Sequence, residues 1–282
     1  FLALENTNRH KDGHLVVLET SGVPYFDERG TLLGYRGIDR DISERKRAQE
    51  ALIQANLELD AFVYTVSHDL RSYLTPIIGY AGVLKETCQE RLDNQSLGCL
   101  VEIENQGYRM LELMEDLLIL AKVGHLPRST EPVDLNEVVA DVLADMGSLI
   151  VQAGVITEQH PMPKLRVPKS LLTQIFYNLL GNAIRYAGSD GNPIEIGGER
   201  RGDLVRLYVR DHGPGIPESE WSRIFEVFYR GVAGRKTSGT GVGLATVQKI
   251  SRLYGGRAWV EKTPGGGSSF WVELMDIQNP RE

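Results

Sequence analysis

Apolar residues follow different spacings in different parts of this chain. Between residues 43 and 124 they recur at alternating steps of four and three: Ala48, Leu52, Ala55, Leu59, Phe62 and Val66, then Leu100, Ile103, Gly107, Met110, Met114, Leu117 and Ala121. That alternation is the heptad period of helices packed along a seam. It predicts two long helices, separated by the polar break Glu90-Arg91-Leu92-Asp93-Asn94-Gln95-Ser96. Ser43, followed by Glu44, is the expected N-cap of the first. A hairpin with an apolar stripe on each arm still has surface to cover. The expectation is a four-helix bundle completed by a second copy of the chain.

Residues 1–42 read as strands and turns. Leu15-Val16-Val17-Leu18-Glu19-Thr20 and Leu32-Leu33-Gly34-Tyr35-Arg36-Gly37-Ile38 are β-prone, and Asp27-Glu28-Arg29-Gly30 is turn chemistry. Roughly forty residues bury too little to stand alone, so this stretch reads as the tail of a larger module. Residues 129–276 mix both periods. Helices are expected at 134–152, with Asp134 or Asn136 near the cap, and at 170–186 and 242–254. Strands are expected at 194–196, 204–209, 258–261 and 269–274. This order suggests an α/β sandwich with helices on one face of a mixed sheet. Glycines gather at 213–215, 231–243 and 255–267, marking three loops.

The 282 residues suggest about two domains. With 41% apolar and 24% charged residues, wholesale disorder is excluded. A formal net charge of −7 is a poor footprint for nucleic acid. The two cysteines, Cys88 and Cys99, cannot build a disulfide framework or a four-ligand zinc site, which points to a reducing, cytoplasmic setting. No apolar run approaches the roughly 18 residues that span a bilayer. The opening Phe1-Leu2-Ala3-Leu4-Glu5 has no initiator Met, basic n-region or apolar h-region. It reads as the start of a fragment or processed product, with membrane contact only through a missing N-terminal region.

Chemistry concentrates at four places. In Ser67-His68-Asp69-Leu70-Arg71-Ser72, His68 falls two residues past the seam position Val66, towards solvent. A lone surface His usually does nothing, but an adjacent carboxylate can hold one ring nitrogen and make the other a better nucleophile. On the helix at 170–186, Asn178, Asn182 and Arg185 recur at i, i+4 and i+7. They form either a solvated face or a set of amide oxygens for Mg²⁺ beside a phosphate-binding Arg. Asp211-His212-Gly213-Pro214-Gly215-Ile216-Pro217 follows a strand. It is either a tight turn or a carboxylate aimed at a base amino group, with glycines admitting a flat ring. Gly239-Thr240-Gly241-Val242-Gly243-Leu244 opens a helix and suits phosphate, yet matches neither the dinucleotide fingerprint nor the Walker A loop.

Taken in order, these motifs resemble those of the sensor histidine kinases of two-component signalling. Ser67–Ser72 is similar to the phosphoacceptor box, Asn178–Tyr186 to the asparagine box, and Asp211–Ile216 and Gly239–Leu244 to the two glycine boxes. Ile224-Phe225-Glu226-Val227-Phe228-Tyr229-Arg230 is similar to the phenylalanine box. Residues 1–45 resemble the last strands of a PAS sensor. The implied architecture is multidomain: a β-rich PAS remnant (1–42), an all-α hairpin for dimerisation and phosphotransfer (43–128), an ATP-binding α/β sandwich (129–276) and a tail (277–282).

By this resemblance His68 takes the γ-phosphoryl of ATP, Asp69 acts as hydrogen-bond acceptor or general base, and Ser72 assists hydrolysis of the regulator's phosphate. Asn182 with Asn178 would hold Mg²⁺, and Arg185, Tyr186 and Arg230 would contact the nucleotide. Asp211 would accept from adenine, with Gly213, Gly215, Ile216 and Ser269 around it. Gly239, Gly241, Gly243 and Leu244 would form the lid. The implied partners are a second copy of the chain and the receiver domain of a response regulator. The catalytic domain would swing on residues 123–130. Two departures stand out: Tyr73 where the family usually has Pro, with Pro76 three residues on, and Pro168 where the family often has Asp-Pro. A kinase-deficient scaffold or phosphatase is therefore an alternative reading. A gyrase-like or chaperone ATPase is another, disfavoured by the hairpin that bears His68.

Overall fold

The computed structural model describes residues 1–123, 131–186, 191–231 and 239–276. The chain divides into two compact units, Phe1–Phe62 and Val63–Glu282. Residues 124–130 of the expected hinge at 123–130, the tail at 277–282 and part of the second glycine-rich loop, 232–238, lie outside the described residues.

The first unit is an antiparallel meander of β1 (Leu4–Arg9), β2 (Leu15–Phe26) and β3 (Leu32–Asp41), followed by the start of helix α1 (Ser43–Thr87). Strand β1 is absent from the sequence reading because Leu-Glu-Asn-Thr-Asn-Arg carries no apolar alternation and is almost wholly exposed. The expected turn at Asp27 forms. Its carboxylate accepts from Arg29 N at 2.9 Å and Thr31 N at 2.7 Å, and Gly30 takes φ +79°. Only Gly22, Ile42 and Ser43 are buried among the described residues of this unit, in keeping with its small size.

The start of α1 departs from expectation. Asp41 Oδ1 accepts from Ser43 N at 2.8 Å, while Ser43 Oγ accepts from Val17 N at 2.8 Å. Asp41 caps the helix and Ser43 pins it to β2, because a nearby strand N–H competes for the serine oxygen. Hydrogen bonds from Ser43 hold the Asp41 carboxyl below its ordinary range.

In the second unit, the rest of α1 and α2 (Asn94–Lys122) form the predicted hairpin. A 3₁₀ turn at Gln89–Arg91 breaks them, and Asp93 caps α2 by accepting from Ser96 N at 2.8 Å. The arms are antiparallel. Arg71 meets Glu115 at 3.2 Å, Lys85 pairs with Glu104, and Ile78 fills the space that a Cβ on Gly107 would occupy. The inner face of α1 is Ser67, Leu74, Ile78 and Ala81. The stripe read from the sequence lies one residue away: Leu52, Leu59, Phe62 and Val66 are exposed. At the same steps of four and three it continues through Leu70, Tyr73, Ile77, Tyr80 and Leu84, all exposed as well. On α2 the series splits, with Gly107, Met114 and Ala121 buried and Ile103 and Met110 exposed. Pro76 sits inside α1; having no N–H, it leaves the Ser72 carbonyl without its i+4 donor.

The remaining residues of the second unit form the sandwich. Five strands lie in the order β5 (Thr157–Gln159), β7 (Ile194–Arg201), β8 (Leu204–Arg210), β10 (Ser268–Met275), β9 (Arg257–Lys262). Only β5 and β7 run parallel. A two-stranded ladder joins β4 (Val133–Asp134) to β6 (Lys164–Leu165). Helices α3 (Leu135–Asp145), α4 (Gly147–Ala153), α5 (Lys169–Tyr186) and α6 (Gly243–Leu253) complete the unit. The helix expected over 134–152 is thus two. Asp134 caps α3, and the chain breaks at Met146, which stays buried before the poor helix former Gly147. Strand alternation sets the two sheet faces: Val205, Leu207 and Val209 face the helices. Arg206 and Arg210 on the other face pair with Glu273 at 2.7 Å and Glu195 at 2.8 Å, beside stacked Trp259 and Trp271.

Candidate functional site

Helix α5 organises the site. Leu171, Leu172, Ile175, Phe176, Leu179, Leu180, Ala183 and Ile184 form a broad apolar stripe in the core. Asn178, Asn182 and Arg185 are then directed to the remaining face, where they line a cavity of about 650 Å³ with Tyr186. Asp211, Gly215 and Ile216 enter it from the loop after β8. Arg230, Gly239, Gly241, Gly243 and Leu244 enter from the segments before and at the start of α6.

Asp211 is 3% exposed. Its Oδ1 accepts from Gly213 N at 2.9 Å and Ser268 N at 3.1 Å, leaving Oδ2 as the oxygen offered to the cavity. Burial pushes its carboxyl above the usual range, and the two backbone N–H groups oppose that only in part. Backbone crowding explains the glycines. A Cβ on Gly213 would lie 2.0 Å from Tyr186 O, and one on Gly267 would lie 2.0 Å from Asp211 O. Gly241 takes φ +75° and its carbonyl accepts from Phe228 N at 2.9 Å. Phe228 is itself held at φ +67°, an uncommon conformation for a bulky residue.

The asparagines provide oxygen donors. Asn182 Oδ1 accepts from Arg185 Nη1 at 3.4 Å. Asn178 Nδ2 is buried with no partner among the described residues. A Cβ on Gly243 would come within 2.6 Å of Asn178 Oδ1 and would push that side chain from its present position. Two amide oxygens, an orphaned amide N–H and a guanidinium suit a hydrated Mg²⁺ on a phosphate chain.

Two expected residues are placed otherwise. Ser269 does not line the cavity: its Oγ pairs with Thr263 Oγ1 at 2.9 Å and accepts from Arg210 Nε at 3.1 Å. Adjacent residues of a strand face opposite sides, and Ser268 is the one that reaches the cavity. Gly213 is likewise outside the lining and acts through the turn that holds Asp211. The expected phosphoacceptor group lies elsewhere. His68 is 71% exposed on α1, with Nδ1 3.3 Å from Asp69 Oδ1, and is not part of the cavity wall. Ser72 Oγ donates back to Asp69 O at 2.6 Å.

Another wall has no counterpart in the sequence reading. Glu112, Glu115, Asp116 and Ile119 of α2 line the same cavity. Thr240 donates to the Asp116 carboxylate, and Lys249 Nζ donates to Leu120 O at 2.7 Å. Burial raises the Asp116 carboxyl, with the Thr240 bond opposing. Nothing local marks these residues: Glu112, Glu115 and Asp116 are ordinary polar positions of a heptad, and Ile119 is an ordinary apolar one.

The fold and site define a nucleotide-type cavity in an α/β sandwich, tied to a helical hairpin carrying an exposed His-Asp pair. Residues 168–278 match the family described as histidine kinase-, DNA gyrase B-, and HSP90-like ATPase. Residues 58–126 match the His kinase A (phospho-acceptor) domain. The methanogenesis regulatory histidine kinase FilI of Methanothrix harundinacea is 35% identical over 216 residues, 76% of this chain and 24% of that protein. The aerobic respiration control sensor ArcB of Escherichia coli is 30% identical across 97% of this chain and 36% of its own length. The crystal structure of full-length ShkA in complex with AMPPNP superposes with TM-score 0.59 at 27% identity, covering 76% of this chain and 45% of that one. The histidine kinase AdeS of Acinetobacter baumannii, at 23% identity and TM-score 0.53, covers 74% of this chain and 98% of its own and shares the fold. The chain belongs to the sensor histidine kinases. It spans about a quarter to a third of the length of the curated relatives it matches. Among the described residues no helix is long and apolar enough to cross a membrane.

Proposed function

We propose that the chain phosphorylates its own His68 from ATP and passes the phosphoryl group to an aspartate of a response regulator. The observation that carries this reading is Asp211: a carboxylate at the floor of a cavity, fixed through one oxygen and presenting the other. That arrangement accepts from an exocyclic amino group such as adenine's. Arg185, Arg230 and the glycines at 239–243 take the phosphates. Asn178 and Asn182 would hold Mg²⁺, which neutralises charge on the phosphates when bound.

The imidazole chemistry follows from the His68–Asp69 contact. With Asp69 beside Nδ1, the proton belongs on Nδ1 and Nε2 keeps its lone pair. Nε2 attacks the γ-phosphorus, a P–N bond forms, and the bond to the β–γ bridging oxygen breaks. ADP leaves with that electron pair, and Asp69 stabilises the charge on the ring. A receiver carboxylate then attacks the same phosphorus, and the imidazole leaves. Because His68 is outside the cavity wall, the ATP-binding residues have to approach α1 for transfer. The Thr240–Asp116 and Lys249–Leu120 contacts would break on the way.

The exposed stripe from Leu52 to Leu84 supports dimerisation through the hairpin, because a second copy would cover it. The division into a sensor remnant, hairpin and ATP-binding domain at 1–42, 43–128 and 129–276 belongs to the same proposal.

The test is incubation with γ-labelled ATP and Mg²⁺ beside His68→Ala. Acid-labile label, lost in the variant, is expected. Bound ATP without label would overturn the kinase reading in favour of a scaffold or phosphatase. Tyr73 favours that second reading: it replaces the family's usual Pro, so the helix break is left to Pro76. Tyr73→Pro should shift the ratio of kinase to phosphatase rates. An unchanged ratio removes Tyr73 from the argument.

A further inference from the structure

The turn between β1 and β2 reads His10-Lys11-Asp12-Gly13-His14. His10 N donates to His14 O at 2.8 Å and Gly13 N donates to His10 O at 2.9 Å, so the two histidines face each other at the mouth of the hairpin. Gly13 closes the turn at φ +96°, which a side-chain-bearing residue adopts only with strain. Opposed residues of an antiparallel pair project to the same face. The imidazoles accordingly stack, with ring centroids 4.7 Å apart. Asp12 turns back between them: its Oδ1 lies 3.1 Å from His10 Nδ1 and 2.5 Å from His14 Nδ1. One ligand atom from each of the three residues lies within 4.8 Å of the others.

We propose that this turn binds a divalent first-row transition metal through His10, Asp12 and His14. Ligand bonds of ~2.0–2.2 Å put neighbouring donors of a tetrahedral site ~3.4 Å apart. Both carboxylate–imidazole separations fall short of that value, small side-chain rotations would open them to it, and all three side chains are exposed enough to make them. Two imidazole nitrogens with one carboxylate select zinc, nickel or copper over magnesium or calcium, which require a shell of oxygens. The remaining coordination positions stay open to water. The strand carrying His14 reaches Val17 three residues later, where both backbone groups bond to Ile42 N and Ser43 Oγ at the start of α1. The site thus lies on the element that joins the sheet to the helix, and it owes nothing to the nucleotide cavity.

The test is calorimetric titration of the untagged 282-residue chain with Zn²⁺, beside His10→Ala, His14→Ala and His160→Ala. One equivalent is expected in the parent and in His160→Ala, with affinity falling at least tenfold in each of the first two variants. Far-ultraviolet circular dichroism checks that the variants stay folded. Equal affinity in His10→Ala or His14→Ala, or no binding by the parent below millimolar Zn²⁺, would overturn the proposal. Cu²⁺ supplies a second readout. Its electron paramagnetic resonance spectrum should show two nitrogen ligands that revert to one in either variant; a spectrum unchanged by both would also overturn it.

Discussion

Helices α5 and α1 are both amphipathic, and they use the property in opposite ways. α5 buries its whole apolar stripe under the sheet, with Leu172, Ile175, Phe176 and Leu180 fully inaccessible. α1 buries one narrow line, Leu74, Ile78 and Ala81, against α2 and leaves Leu70, Tyr73, Ile77, Tyr80 and Leu84 in the open. A sheet offers one continuous surface and satisfies a helix within a single chain. A two-helix hairpin offers a line, so the rest of a heptad stripe waits for another surface. The nucleotide cavity is accordingly built on the self-sufficient element, and the imidazole on the incomplete one.

That contrast can be broken at either end. The largest effect is expected at Leu172→Ala, which removes a fully buried side chain and should destabilise the sandwich by about 2–5 kcal/mol. Urea unfolding would show it, and a loss below 1 kcal/mol would mean that the α5 contact is loosely packed. The double change Ile77→Asp and Tyr80→Asp should leave secondary structure intact and halve the particle mass measured by light scattering. A monomeric parent would instead remove the dimer from the proposal.

Asp211→Asn separates binding from folding. Its amide oxygen can still accept from Gly213 and Ser268, but its NH₂ would oppose an amino group in the cavity. Nucleotide affinity should fall about 10–100-fold. Stability should not fall with it, and the sign follows from the raised carboxyl. A group with a raised folded pKa contributes stability below its unfolded pKa and loses it as pH rises through the folded value. At neutral pH the ionised carboxylate therefore opposes folding, and the neutral amide relieves it. A melting temperature for Asp211→Asn well below the parent's at pH 7 would contradict this. The parent's nucleotide affinity should also decline as pH drops through that raised value, and the decline should vanish in the variant.

Thr240→Val removes the donor to the half-buried Asp116 and should loosen the contact between α2 and the loop before α6. Faster autophosphorylation would identify that contact as a restraint, whereas slower labelling at unchanged nucleotide affinity would identify it as part of the productive arrangement. The smallest effect is expected at Asp93→Ala, on the hairpin. The Asp93 carboxyl is held below its ordinary range by Ser96, so the cap is present above the unfolded carboxylate pKa and lost as pH falls through the folded one. The variant should melt slightly earlier at pH 7 and at the parent's temperature in strong acid.

Much of the site was legible because its signals are local. The i, i+4, i+7 spacing of Asn178, Asn182 and Arg185 places them on one face in any α-helix, and the loops containing Gly215 and Gly241 need glycine for backbone geometry alone. Ser43 was misread as a cap because its competitor, Val17 N, lies 26 residues away. Ser268 rather than Ser269 lines the cavity, and resemblance does not say which face of a strand meets it. Gly267 carried no signal of its own among neighbouring glycines; its role depends on the approach of Asp211 O.

By itself, the sequence determined α5, α6, the two long helices of the hairpin, most of the strands and the order of the motifs, all properties of spacing and side-chain type. Only the tertiary structure decided which of two adjacent stripes on α1 lies inside. It also decided that Ser268 rather than Ser269 meets the cavity, and that Glu112, Glu115 and Asp116 of α2 form one of its walls. Those outcomes depend on packing between residues distant in the chain. Burial and electrostatic environment are properties of that packing, so no local pattern encodes them.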